Sequence, residues 1–171
     1  LGEDVSEKCK AKVTQKTRML CYNRFVKWID ILGLFTEGHL VEMVDIDYVM
    51  ELMDWNNSIE DQKKGVELAR NIKCLNAFLQ PGAPYGKSVW ENCAKVLAER
   101  TNKELVSCLH GMLEWLQDMN WPGAFCILER LKSLKKIPEF QCWYDTCMKC
   151  AKALEDEAWI SNLEMLKEES W

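Results

Sequence analysis

The chain has 171 residues, of which 48% are hydrophobic and 29% charged, the size and balance of one ordinary globular domain rather than a fibrous or low-complexity chain. Twenty leucines, against 23 Val, Ile and Thr taken together, disfavour an all-β fold. The net charge of −5 repels phosphate backbones, so nucleic acid and anionic membranes are poor partners.

Helical periodicity runs along the chain. At 100° per residue, Val5, Cys9, Val13 and Leu20 point one way, and Cys21, Phe25, Trp28 and Leu32 about 120° away. One helix buried on two sides, or a break near 14–17, accounts for this. Lys8, Lys10, Lys12 and Lys16 form a basic cluster read as a solvated helix face. Gly33 and Gly38 separate this region from a helix or helix pair over 39–54. Ser58-Ile-Glu-Asp61 starts a helix running to about 79, with a stripe of Leu68, Ile72, Leu75 and Leu79 and with Val66 pointing elsewhere. Pro81–Gly86 is the strongest breaker and is read as a loop, a plain connector with a hinge or lid as the alternative.

Trp90, Cys93, Ala94 and Leu97 mark a helix over 87–99. Thr101 and Glu104 have the spacing of a capping box, opening a helix over 102–118 whose face is Leu105, Leu109, Met112 and Leu116. Pro122 at a first-turn position opens the helix of Ala124, Ile127, Leu128 and Leu131. Pro138 starts a helix over 139–168, with a stripe of Phe140, Tyr144, Cys147, Ala151, Leu154 and Ala158.

These elements predict an all-α fold of seven or eight helices with short links. Residues 1–44 carry +1 and residues 45–171 carry −6. They are read as an N-terminal helical extension packed on the core and a helical domain. Two joints look alike: Leu52-Met-Asp-Trp-Asn56 and Leu116-Gln-Asp-Met-Asn-Trp121, 64 residues apart from Asp54 to Asp118. This weak repeat predicts a HEAT- or armadillo-like stack of antiparallel helix pairs.

Little in the sequence supports catalysis. Cys142-x4-Cys147-x2-Cys150 matches three ligands of a plant-type iron–sulfur site, but no cysteine follows, and on a helix Cys142 and Cys147 point about 140° apart. His39 and His110 sit in no nucleophile motif, and no phosphate-cradling glycine loop occurs. No metal and no cofactor are expected. The nine cysteines are read as reduced, buried hydrophobes of a cytoplasmic protein, with no signal peptide and no membrane span.

The informative pattern is tryptophan beside carboxylates and amides: Trp55 with Asn56, Trp90 with Glu91, Glu114 with Trp115, and Asp118 with Asn120 and Trp121. Aromatic plates flanked by fixed acceptors suit a peptide or a basic side chain. The competing reading is that the tryptophans fill the core and Asp and Asn cap helices. A stack of helix pairs predicts that Trp55, Glu91, Trp115, Asp118 and Trp121 lie along one side, with the indoles bonded to nearby carboxylates and amides.

Asp45-Ile-Asp-Tyr-Val-Met-Glu-Leu-Met-Asp-Trp-Asn, Val89-Trp-Glu-Asn-Cys-Ala-Lys-Val-Leu and Leu113-Glu-Trp-Leu-Gln-Asp-Met-Asn-Trp-Pro-Gly-Ala resemble a family of small bacterial, Clostridia-type helical domains of unknown function. The resemblance runs from about Val44 to Lys136. It implies a HEAT-like fold and, by association, an immunity-type protein, and it implies no catalytic residues. The expected function is thus a non-catalytic protein-binding module, an immunity or adaptor protein whose partner is another protein with a basic surface. The alternative is a HEAT-like nucleic-acid-modifying enzyme resembling alkyl-purine DNA glycosylases, using Trp115 with Asp118 or Trp121.

Overall fold

The computed structural model describes residues 45–167; the helix read over 1–35, the lysine cluster and the packing of residues 1–44 lie outside the described residues. The described residues are helical, with no strand among them.

Helix α1 spans Ile46–Leu52, its first turn held by the Asp45 carboxylate accepting from the Asp47 amide at 2.9 Å. Val49, Met50 and Met53 are buried. They face α2, Ile59–Ala69, which Ser58 caps by accepting from the Asp61 amide, as its spacing predicts. The two helices approach closely because Gly65 lacks a side chain: a Cβ there would stand 2.8 Å from Met53 Cγ.

The helix expected to reach residue 79 stops at Ala69, and a 3-10 turn, Leu75–Phe78, follows. The cause is remote in sequence. The Arg100 guanidinium donates to the carbonyls of Ala69 (2.5 Å), Arg70 (2.8 Å) and Ile72 (3.2 Å), closing the α2 C-terminus. Leu75 and Leu79 are still buried, while Leu68 and Ile72 are only partly so.

A 3-10 turn, Gly86–Val89, leads into α3, Trp90–Ala98, which buries Cys93, Ala94, Val96 and Leu97. Helix α4 comprises Asn102–Leu105 and Leu109–Trp115, joined by the 3-10 turn Val106–Cys108. Its capping box forms as predicted, and Leu105, Leu109, Met112 and Leu116 are fully buried. Helix α5 is Ala124–Leu134. Its N-cap is Gly123, with φ +82°, and Pro122 lies outside the first turn where it was expected. Gly123 is demanded twice over: its φ is left-handed, and a Cβ would lie 2.4 Å from Ala94 Cβ on α3.

The single helix expected over 139–168 is two. Helix α6, Pro138–Ala153, buries Phe140, Tyr144, Cys147 and Ala151. Leu154 and Ala158, placed on the same stripe, are exposed. Glu155 takes a left-handed φ of +54°. The amides of Asp156 and Glu155 bond back to the carbonyls of Ala151 (3.0 Å) and Lys152 (3.2 Å), a Schellman ending built without glycine. Asp156 then caps α7, Glu157–Glu164, at the Trp159 amide (2.9 Å).

Helix α1 packs on α2, and α2 on α3. Beyond that, alternate helices associate: α3 with α5, α4 with α6, with α4 also against α5 and α7 against α6. Burial of side chains such as Leu97, Leu109, Leu113 and Ile127 supplies about 1.5–3 kcal/mol each. Later helices also seal the ends of earlier ones. Arg130 Nη2 donates to the Arg100 carbonyl (2.7 Å) just beyond α3. Trp159 and Asn162 of α7 donate to the carbonyls of Leu113 (3.1 Å) and Leu116 (2.8 Å) at the end of α4.

Candidate functional site

The two look-alike joints form the same turn. At the first, Asp54 Oδ1 accepts from the Asn56 backbone and side-chain amides, both at 2.8 Å. At the second, Asp118 Oδ1 accepts from the backbone and side-chain amides of Asn120, at 2.8 and 2.9 Å. Each is an Asx turn, in which a short carboxylate reaches its own backbone two residues on.

The first joint is fastened to α3. Ser88 Oγ donates to Asp54 Oδ2 at 2.5 Å, and the Trp55 amide donates to the Ser88 carbonyl at 3.0 Å. Beneath it, Asn92 is the buried polar residue among those described. Its amide donates to the Met53 carbonyl (2.8 Å) and Gln62 Oε1 (2.9 Å), and Gln62 in turn donates to the Asn57 carbonyl (2.9 Å). Asn57 donates to the Glu51 carbonyl at 2.6 Å. The backbone of the joint is therefore held from both sides while Trp55 remains 50% exposed and Asn56 exposed.

An open cleft of about 700 Å³ adjoins this joint, lined among others by Tyr48, Glu51, Asp54, Asn56, Asp61, Pro84 and Tyr85. The Ser88 hydroxyl and the Asn56 amide hold the Asp54 carboxyl below the usual carboxylate range. The Tyr85 hydroxyl donates to Asp47, and burial together with that carboxylate pushes the phenol up, so it stays a neutral donor. Lys64 donates to the Tyr48 hydroxyl at 3.0 Å and lies 5.5 Å from its ring centre.

The second joint turns its tryptophan inward. Trp121 meets Trp90 edge-on at 5.6 Å, and Trp90 meets Trp115 at 5.9 Å. Trp115 is fully buried. The indoles bond to backbone, not to the carboxylates and amides expected: Trp90 Nε1 donates to the Pro81 carbonyl (2.8 Å) and Trp115 Nε1 to the Pro122 carbonyl (3.1 Å). Those carbonyls lie in loops that have no partner of their own element, which is why they take the indole protons.

Of the predicted residues, Trp90, Trp115 and Trp121 come together by ring contact. Asp118 and Asn120 build the turn beside them, and Glu91 lies next to Gly123, 3.5 Å from that residue's notional Cβ to Glu91 Cα. Trp55 and Asn56 sit at the other joint, tied to the start of α3 through Ser88. Glu114 faces elsewhere: it pairs with His110 (3.5 Å), whose ring lies 5.0 Å from that of Trp143 on α6.

Sequence reasoning missed Tyr48, Glu51, Asp61 and Tyr85. Part of the signal was present, since Asp45, Asp47, Glu51, Asp54, Glu60 and Asp61 fall in 45–62, which has no Lys or Arg. Tyr85 joins only through the fold.

The cysteines divide. Cys93, Cys108 and Cys147 are buried, but Cys74 and Cys142 are exposed, against the expectation that they fill the interior. Burial pushes the Cys93 and Cys108 thiols up and that of Cys147 up to about 12, so these three are protonated and poor nucleophiles at neutral pH. Among the described residues no group of three or more His, Cys, Asp or Glu could hold a metal, and no helix is long and apolar enough to cross a membrane.

Residues 89–169 match the model of a family described as a domain of unknown function, DUF5071. The match is consistent with the resemblance to an uncharacterised family. It begins at residue 89 and so takes in α3 through α7 and the second joint, but neither the first joint nor most of the cleft. No curated protein and no solved structure matches the chain.

Proposed function

We propose that the chain is a non-catalytic protein-binding module, a cytoplasmic immunity or adaptor protein on a HEAT-like stack, whose partner presents a basic segment to the cleft beside the first joint. The observation that carries this reading is Trp55: half exposed, on a joint whose backbone is bonded on both sides, in sequence between Asp54 and Asn56, which line the cleft together with Glu51 and Asp61. A rigid aromatic next to fixed carboxylates gives a lysine or arginine both a face to stack on and a counter-charge, at little ordering cost. The alternation of α3 with α5 and α4 with α6 supports the HEAT-like part.

The enzyme alternative draws no support from its own residues. Trp115 is buried with its indole bonded to Pro122, and Asp118 is engaged in its turn. A basic peptide of mixed sequence, titrated by calorimetry, tests the proposal. Wild type should bind it, and Glu51→Gln and Trp55→Ala should each weaken binding about tenfold with melting unchanged. Binding indifferent to both substitutions would remove the cleft as the site.

A further inference from the structure

Lys87 lies over two indoles at once, its Nζ 5.6 Å from the ring centre of Trp90 and 5.5 Å from that of Trp121. The two rings stand at 79° to each other. A cation over two nearly perpendicular aromatic faces is in the corner of a cage, the geometry that suits an alkylammonium group. We propose that Trp90 and Trp121 form a half-cage for the ammonium group of a partner's lysine side chain, and that Lys87 fills it in cis until the partner displaces it.

The walls are fixed without the lysine. Trp90 is braced behind by Trp115 and bonded through its indole to Pro81, and the Trp121 amide bonds to the Asp118 carbonyl at 3.0 Å. The occupant is held by less. Lys87 is exposed; its carbonyl accepts from the Trp90 amide, but among the described residues its ammonium makes no hydrogen bond or ion pair and touches only the two rings. Because Lys87 is itself exposed, its side chain can swing into solvent without uncovering a buried group. The half-cage takes an ammonium already, which identifies the chemistry of the competitor. A tethered occupant competes at high effective concentration, so removing it raises the apparent affinity for a free cation.

The inference extends the reading of a basic partner, yet its test avoids the acidic cleft. Tetramethylammonium is titrated into the full chain, wild type and Lys87→Ala, following the indole N–H resonances by NMR. Lys87→Ala should bind it about tenfold more tightly than wild type, with shifts confined to Trp90, Trp121 and the adjoining Trp115. The uncharged isostere 3,3-dimethyl-1-butanol should shift them far less. Equal affinity in the two proteins, or equal response to the uncharged compound, would overturn the half-cage. Adding Trp121→Leu to Lys87→Ala should abolish binding; if that variant does not fold, the comparison of Lys87→Ala with wild type still decides. Glu51→Gln should leave tetramethylammonium binding unchanged, so failure of the cleft and failure of the half-cage are separate results.

Discussion

The joints at 54–57 and 118–121 use one Asp-x-Asn turn and give their tryptophans opposite fates. In the first, Trp55 stands between the Asp and the Asn, on the outer side of the turn, and is half exposed. In the second, Met119 takes that place, and Trp121 follows the Asn, where the chain turns back toward α3 and the indole meets Trp90. The carboxylate sets the backbone in both. A shift of two positions relative to Asp54 and Asp118 decides whether the indole stands half exposed on the turn or packs edge-on against Trp90.

The strongest way to break this contrast is at Trp115, on which the second joint's cluster rests. Trp115→Ala should cost about 3–5 kcal/mol and lower the melting temperature steeply. Trp55→Ala should leave stability within about 0.5 kcal/mol of wild type. If both melt alike, the two joints are not different in kind. The next test is binding: Trp55→Ala should lose about tenfold, or about 1.4 kcal/mol, of affinity for a basic partner at unchanged melting, measured by calorimetry.

The turns themselves give smaller effects. Asp54→Ala should cost about 1–2 kcal/mol, since it removes both the Asx turn and the Ser88 bond, and Asp118→Ala about 1 kcal/mol, both read from denaturant unfolding. Acid sharpens the first of these. Asp54 is bonded in its ionised form, so its folded pKa is below its unfolded one. Its contribution is therefore complete above about pH 4 and is lost as the pH falls through the lower folded value. Asp54→Asn should flatten that part of the acid-unfolding curve. Smallest is the joint at 154–156, which has no Asp-x-Asn. There Glu155→Gly should stabilise by about 1 kcal/mol, because glycine takes the left-handed φ without strain.

What the sequence made legible was local. The Ser58 cap, the Thr101–Glu104 box and the 81–86 breaker all lie within a few residues of what they control, and all are where they were read. The errors were remote or unmarked. Nothing near residue 69 says that Arg100 will close α2 there. The α6 end was invisible because its left-handed residue is Glu, not Gly or Asn. Of the candidate site, Trp90, Trp115 and Trp121 were each legible from the carboxylate or amide beside them, but the expected group held Trp55 and not Trp90, the ring that joins the other two. The cleft was half legible in the carboxylates of 45–62, but Tyr85 and Ser88 reach it across more than 30 residues.

The guanidinium caps have a consequence for how the domain comes apart. Arg100, just past the end of α3, seals the end of α2, and Arg130 on α5 seals the end of α3. Opening α5 alone would strand the Arg100 carbonyl, and loosening the α3 terminus would release three carbonyls at and just past the end of α2. Fraying of single helices is thereby penalised, and α2, α3 and α5 should open as one cooperative unit. Native-state hydrogen exchange would register this as a shared opening free energy for their inner amides, with Arg130→Ala lowering protection in α3 as well as in its own helix.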